Sequence, residues 1–281
     1  MAGPLIFPTD LINRVMPPWL AAVLDYMGEV PDFKAAEITQ VKIIKNGEDK
    51  KQTELDPDKP TVLVIRHGST ELNSEGQGSP ERIRGWLDIP LNAEGKTEAE
   101  KTAQRVAEFP VGRIVSSDLQ RASVTAKALQ AALKKQGSNV SVDLTKDLRP
   151  WNLGQLQGKA VAESLVTIKR LIANPKMKAP GGESMQSFLT RFLGCMATLF
   201  AEARANAKKG MIVAVSHTRN QRAIHGWVEG GENDSTIDTS YMSQEDHIRP
   251  GGILALQWNG KKWDLTVMDG DGEGEPNGQA S

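Results

Sequence analysis

Residues 61–73 read TVLVIRHGSTELN, and the first half of this stretch sets the fold. Val62-Leu63-Val64-Ile65 is a continuous β-branched and aliphatic run, the pattern of a strand buried on both faces of a parallel sheet. It delivers Arg66, His67 and Gly68 to the strand's carboxyl end, where open α/β sheets bind ligands. Gly68 permits a sharp turn or a close approach to a ligand. Thr70 contributes a hydroxyl and Asn73 an amide. A cation, an imidazole and these polar groups suit an anion such as phosphate, with His67 as a candidate nucleophile. Taken alone, an Arg-His pair after a strand also fits a plain surface turn, so the rest of the chain has to decide.

Outward from this stretch the same alternation repeats. Strands are expected at 61–66, 111–116, 139–144, 211–216, 252–257 and 263–268, and helices at 93–108, 118–136, 160–173, 184–208 and 218–228. Strands alternating with helices predict βαβ units with right-handed crossovers. Asn259-Gly260 between the last two strands is a hairpin signal. The expected fold is therefore an α/β three-layer sandwich: a mostly parallel central sheet with an antiparallel edge and helices on both faces.

The 281 residues carry a net charge of -1, so no overall basic field points to nucleic acid. Cys195 is the only cysteine, which excludes a disulfide framework and a cysteine-based metal cluster and suits a reducing compartment. It reads as a small core residue. No apolar run reaches the roughly 18 residues of a membrane span, and the N-terminus lacks a basic region followed by an uninterrupted apolar one. A cytoplasmic protein without membrane attachment is the expectation.

Three segments are expected: an N-terminal extension (1–58), a main domain (59–268) and a Gly-rich acidic tail (269–281) read as disordered. In the extension, Trp19, Leu20, Val23, Leu24 and Met27 recur at helical spacing after Pro17-Pro18, and Gly28 can end the helix. Its apolar stripe can pack on the main domain, dock on a partner protein or lie on a membrane surface. Residues 45–60 are polar and turn-rich, as in a linker or exposed hairpin.

Two further motifs bring chemistry to the edge that holds His67. In SSDLQRASVTA (116–126) a strand ends at Ser116 and a helix begins near Asp118, with Ser117 or Asp118 as its cap. Arg121 then falls in the first helical turn, close to Arg66. In VAVSHTRN (213–220) a second apolar strand delivers His217. If these strands are neighbours, two arginines and two histidines converge. Such a group would bind a phosphoryl group by charge-assisted hydrogen bonds and stabilise its charge during transfer. Arg82, Arg84 and Arg219 are candidates to extend the basic site, Arg84 as a wall of the substrate pocket; exposed salt bridging is the plainer reading. His225 and His247 read as structural, and Trp151 and Trp227 as packing residues.

On these motifs the chain resembles the histidine phosphatase superfamily, the group that includes cofactor-dependent phosphoglycerate mutase. Arg66-His67-Gly68 matches the RHG motif, with Thr70 and Asn73 following. GWLDIPLNAEG (85–95), SSDLQRASVTA, GGES (181–184) and RPGGILAL (249–256) match in order, so the resemblance spans about residues 60–268. Thr218 stands where the family usually has the glycine of a His-Gly pair. The resemblance implies that His67 becomes phosphorylated and that water hydrolyses the phosphohistidine. Arg66, Arg121 and His217 would hold the phosphoryl group; Thr70, Asn73, Gly68, Thr218 and Arg84 would assist binding. No metal or organic cofactor is implied.

One departure carries more weight than the matches. The family's general acid is usually a glutamate two residues after a leucine and four before a glycine; in LRPWNLGQLQG (148–158) that place is Pro150. Asp118 is the first candidate to replace it, followed by Glu183 and by Asp88 or Asp147, and an absent acid is the remaining alternative. Asp118 as a helix cap, Glu183 as a first-turn carboxylate and Asp88 as a turn residue are the plainer readings. The function expected first is a phosphatase acting on a small phosphorylated compound. The alternative is a catalytically weakened phosphatase-fold protein serving as a binding or assembly subunit, for example of a viral particle, with residues 1–58 reaching a protein partner. A phosphoglycerate mutase fits less well, because only 22 residues (159–180) separate Gly158 from Gly181, too few for the long insertion of those enzymes.

Overall fold

The computed structural model describes residues 38–44, 55–73, 80–230, 242 and 248–268. The amphipathic helix expected before Gly28, most of the expected linker, His247 and the acidic tail lie outside them.

Seven strands form one sheet: β1 (Ile38–Ile44), β2 (Thr61–Arg66), β3 (Val111–Ser117), β4 (Val142–Thr145), β5 (Met211–Ser216), β6 (Ile253–Trp258) and β7 (Trp263–Met268). Their order is β1-β7-β6-β2-β5-β3-β4. The pairs β2–β5, β3–β5, β3–β4 and β1–β7 are parallel, while β6 runs antiparallel to both β2 and β7. The expected sandwich with its mostly parallel sheet is the observed one. The hairpin supplies the antiparallel element, but β7 turns back again, so β6 alone opposes the others.

Two pieces that the sequence reading left in the N-terminal extension join this unit. β1 pairs with β7 along its length. Leu55 is buried in the core, and the Gln257 side chain bonds both Asp56 backbone groups. Sequence did not reveal β1 because its partner is the last strand of the sheet, more than 200 residues further along.

Side-chain alternation along the buried strands builds two separate cores. Val62 and Val64 of β2, Ile212 and Ala214 of β5, and Leu254 and Leu256 of β6 face helices α3 (Val161–Ala173), α4 (Met185–Ala205) and α5 (Thr218–Gly230). Leu63, Ile65, Val213, Val215, Ile253 and Ala255 face α1 (Ala93–Ala107) and α2 (Gln120–Lys135). Both faces of β2 and β5 are thus covered, and only their carboxyl ends can meet a ligand.

The helix starts are set by specific side chains. Asn92 caps α1 by accepting from the Gly95 amide, and Ser184 caps α4 by accepting from Ser187. At α2 neither expected cap is the N-cap residue: Leu119 holds that position. The helix amide of Gln120 instead donates to Asp88 Oδ1 at 2.7 Å, with Gln120 Nε2 on Oδ2. A carboxylate from a distant turn here meets the positive end of the helix.

Cys195 packs against the larger core, and burial pushes its thiol up to about 12, which makes it an unreactive core residue. Trp151 and Trp227 are core residues as expected. His225 is half-buried on α5, and burial alone moves its imidazole below the ordinary value.

Candidate active site

The register of β2 against β5 builds the centre of the site. Arg66 lies opposite Ser216, so the next residues, His67 and His217, leave adjacent parallel strands side by side. Their ring centroids are 5.0 Å apart in an edge-on arrangement. The His67 amide donates to Ser216 O, which locks the two strand ends together. β3 flanks β5 on its other side, and its last residue, Ser117, places Oγ 2.9 Å from His217 Nε2.

His67 is almost fully buried. Its Nδ1 lies 2.6 Å from the Gly68 carbonyl, which can only accept. The proton therefore sits on Nδ1, and Nε2 carries the lone pair. Arg121 Nε donates to that Nε2 at 3.2 Å. Burial, reinforced by the Arg121, Arg66 and Arg84 guanidiniums, holds His67 well below the usual imidazole range. The ring is neutral at pH 7, which is the form a nucleophile requires. His217 is held low by burial and by Arg121. A bound phosphoryl dianion would oppose this effect and favour the protonated ring.

The arginines arrive from three directions. Arg66, 1% exposed, ends β2 and donates through one Nη to the Ile248 carbonyl. Arg121, also 1% exposed, sits in the first turn of α2 and donates to the Gly85 and Leu87 carbonyls, each at 2.7 Å. Burial pushes each down to about 9, still well above neutrality, so both remain cations. Arg84 lies in the turn whose carbonyls hold Arg121, and one of its Nη atoms pairs with Glu81 at 3.1 Å. Among the described residues, Arg66 Nε, Arg84 Nη1 and His217 Nδ1 are buried without a hydrogen-bond partner. An unmet buried polar group costs about 1–3 kcal/mol, and these three belong to the ring beside His67 and to two guanidiniums whose charges act on it, an arrangement that suits an anionic ligand.

The loop after His67 is held by groups the sequence reading placed differently. A side chain on Gly68 would meet the Gly95 carbonyl at 2.1 Å, so its glycine serves contact with the start of α1 rather than with a ligand. Thr70 is fully buried, and both its amide and its hydroxyl donate to Asn73 Oδ1, which closes the turn. Glu98 accepts from the Ser69 amide and hydroxyl. Gly85 has φ +47° and lies against the Gln157 side chain, whose oxygen also takes the Trp86 amide. That backbone conformation favours glycine. Thr218 begins α5 and is half-buried. Arg82 donates to Gly158 O, on the stretch that follows the Pro150 segment. Arg219 is half-buried and donates to the Met242 carbonyl.

The carboxylates considered as substitutes for the family glutamate are engaged elsewhere. Asp118 forms a bidentate pair with Arg149, at 2.5 and 2.6 Å, and this pairing lowers its pKa. A carboxyl held more acidic than usual is a poor proton donor near neutrality, so the pairing argues against Asp118 as the acid. Glu183 accepts from Arg191 and from the Asn152 amide. Asp147 Oδ2 lies 3.3 Å from the Thr145 hydroxyl, and Asp88 caps α2. Pro150 is buried, and its carbonyl accepts from Trp86 Nε1 at 2.7 Å.

Arg191 organises this wall, and the sequence reading missed it. From α4 it reaches the carbonyls of Lys146, Asp147, Arg149 and Pro150 as well as Glu183. It also lies 5.6 Å from the Trp86 ring, which carries Arg149 at 4.7 Å. The available signal was charge: Arg191 is the sole charged residue between 185 and 200. Among the described residues no cluster of three or more metal-ligating side chains occurs, and no helix is long and apolar enough to cross a membrane.

Comparison with known proteins agrees with this geometry. A probable phosphoglycerate mutase of Salmonella typhi is 26% identical over 219 residues, 65% of this chain and 97% of its own length. Phosphoglycerate mutase-like protein 4 of Arabidopsis thaliana is 36% identical over 110 residues, 39% of this chain and 44% of that protein. Among solved structures, a mycobacterial glucosyl-3-phosphoglycerate phosphatase superposes with TM-score 0.58 at 23% identity, covering 75% of this chain and 99% of its own. The α-ribazole phosphatase of Shigella flexneri superposes with TM-score 0.58 at 20% identity, covering 77% and 100%. These structures share the fold. The family model for branch 1 of the histidine phosphatase superfamily matches residues 62–269, and the chain belongs to that superfamily.

Proposed function

We propose that the protein is a phosphatase that transfers a phosphoryl group from a small phosphorylated substrate to His67 and then to water. The observation that carries this reading is the state of His67: neutral, its proton fixed on Nδ1 by Gly68, its Nε2 lone pair facing the guanidinium of Arg121. Arg121 touches that atom and His217 lies beside the ring; together with Arg66 they would take the equatorial oxygens of the phosphoryl group. Thr70 and Asn73 act by closing the loop that carries His67. No metal is needed, because the guanidiniums supply the charge. The named phosphatases among the similar structures support the reading. The mutase names of the sequence relatives weigh less, given the short stretch between Gly158 and Gly181.

The direct test is turnover of 4-nitrophenyl phosphate with capture of the intermediate. Wild type should release phosphate, and a base-quenched sample should carry phosphohistidine at His67. His67→Ala should show neither. Equal activity of the two proteins would reject the phosphatase.

Pro150 favours a second reading, in which the pocket is retained while the protein serves as a binding or assembly subunit through residues 1–58. Deleting those residues should then disrupt a complex and leave the domain folded; unchanged assembly would count against it.

A further inference from the structure

We propose that this site expels its leaving group by charge instead of by proton transfer, with Arg84 doing what an acid would do. The substrate is then a phosphoryl group on an oxygen that departs readily as an anion: an anhydride, an acyl phosphate or the phosphate of an acidic phenol. The inference rests on the reading of His67 as the phosphoryl acceptor and deepens it.

Four observations converge on the turn at residues 83–87. Arg121 binds the Gly85 and Leu87 carbonyls, so the turn lies against the group that touches His67. Trp86 Nε1 bonds the Pro150 carbonyl, so the residue at the acid position packs on the same turn. Arg84 belongs to this turn, is mostly buried, and keeps Nη1 without a partner among the described residues while Nη2 holds Glu81. The carboxylates around the turn each accept from protein donors: Glu81 from Arg84, Asp88 from Gln120, Asp118 from Arg149, Glu183 from Arg191 and Asn152. Each of these carboxylates thus has at least one oxygen committed to a protein donor. What the turn offers a leaving oxygen is an unmet guanidinium N–H.

The step balances without an acid. His67 Nε2 forms a bond to phosphorus as the bond from phosphorus to the leaving oxygen breaks. That oxygen takes the bonding pair and departs as an anion beside Arg84. The imidazole, still protonated at Nδ1, becomes a cationic phosphohistidine. Water then attacks phosphorus, the pair returns to Nε2, and the proton of water is released to solvent with phosphate. In a loose phosphoryl transition state the bond to the leaving oxygen is largely broken, so negative charge develops on that oxygen, where a fixed cation can stabilise it.

The test is a leaving-group series with the full chain: 4-nitrophenyl phosphate, phenyl phosphate and glycerol phosphate. An acid is worth about 10²–10⁴-fold, so its loss should appear as a fall of that size in kcat/KM from the first probe to the last two. Similar rates across the series would overturn the proposal, because they require a proton donor. Pro150→Glu should raise the two slow substrates by about tenfold or more and leave 4-nitrophenyl phosphate unchanged, within the range an acid supplies. Arg84→Gln should steepen the dependence on the leaving group, with Arg84→Lys restoring part of it. An equal loss on all three substrates would remove Arg84 from this role. Failure to detect phosphohistidine with any probe is a different result: it would overturn the phosphatase reading beneath the proposal.

Discussion

Two regions touch the same turn and treat charge in opposite ways. At the carboxyl ends of β2 and β5, cations gather around a neutral imidazole, and buried donors on Arg66 and Arg84 have no protein acceptor among the described residues. In the neighbouring wall, from Leu148 to Gly158 with Glu183, the charges are paired, although Arg191 Nε, like Arg66 Nε, has no partner among the described residues. Asp118 meets Arg149, Glu183 meets Arg191, and four successive-loop carbonyls also accept from Arg191. Uncompensated charge is costly to bury and persists where a ligand completes it; compensated charge holds a structure in place. The first region has the charge that the proposed phosphoryl ligand needs, and the second forms the wall beside it.

That contrast can be broken by substitutions whose effects should fall in a definite order. The largest belongs to His67→Ala, which should bring turnover of every phosphate ester to background with the fold intact by circular dichroism. Arg121→Met comes next: removing one charge-stabilising donor typically costs about 10²–10³ in kcat, and here it also removes the contact to His67 Nε2. A loss confined to KM would mean that Arg121 binds substrate without favouring the transition state.

Arg191→Met should act on the other region. It strips donors from four carbonyls and one carboxylate, and a hydrogen bond to a charged group is worth about 1.5–3 kcal/mol, so denaturation should show a loss of at least that size. Unchanged stability would show that the wall does not depend on this cation. Asp118→Asn should be the mildest. The pair with Arg149 is partly exposed, such pairs contribute about 0–1 kcal/mol, and alkyl and aryl phosphates should slow alike. A selective loss on alkyl phosphates would restore Asp118 as an acid.

The two histidines also make stability depend on pH, and the sign follows from their direction. His67 and His217 are held well below the ordinary 6.5 in the folded chain. As pH falls below 6.5, the unfolded chain takes up protons first, so folding weakens there and is unaffected above. Denaturant midpoints should fall between about pH 7 and about pH 5.5, and His217→Gln should reduce that fall. Activity should persist below pH 6.5, since His67 stays neutral; a loss tracking an ordinary imidazole would contradict its buried, cation-flanked state.

Much of this was legible in the chain. Apolar runs at 61–66 and 211–216 fell on β2 and β5 residue for residue, because strands buried on both faces have no polar alternation to blur them. His67, Arg121 and His217 were readable as a group, since each follows a strand in a βα unit and parallel strands share one carboxyl edge. The helix cap was misjudged for a reason of distance: Asp88 lies more than 30 residues from the amide it receives. Asp118 looked like an acid because it is next to Arg121 in sequence, yet Arg149, from the loop before Pro150, claims it.

Local pattern therefore settled the elements and their chemistry: which segments are strands, which residues they deliver, and that proline occupies the place of the expected acid. Pairing was decided only in three dimensions. The register of β2 on β5 set the distance between the two histidines, the attachment of β1 to β7 drew part of the N-terminal extension into the sheet, and the turn at 83–87 set Arg84 and Arg121 against Pro150. Periodicity and residue type are properties of neighbours along the chain. The partner of a charge is fixed by packing among residues far apart in it, and this site depends on which charges remain unpartnered.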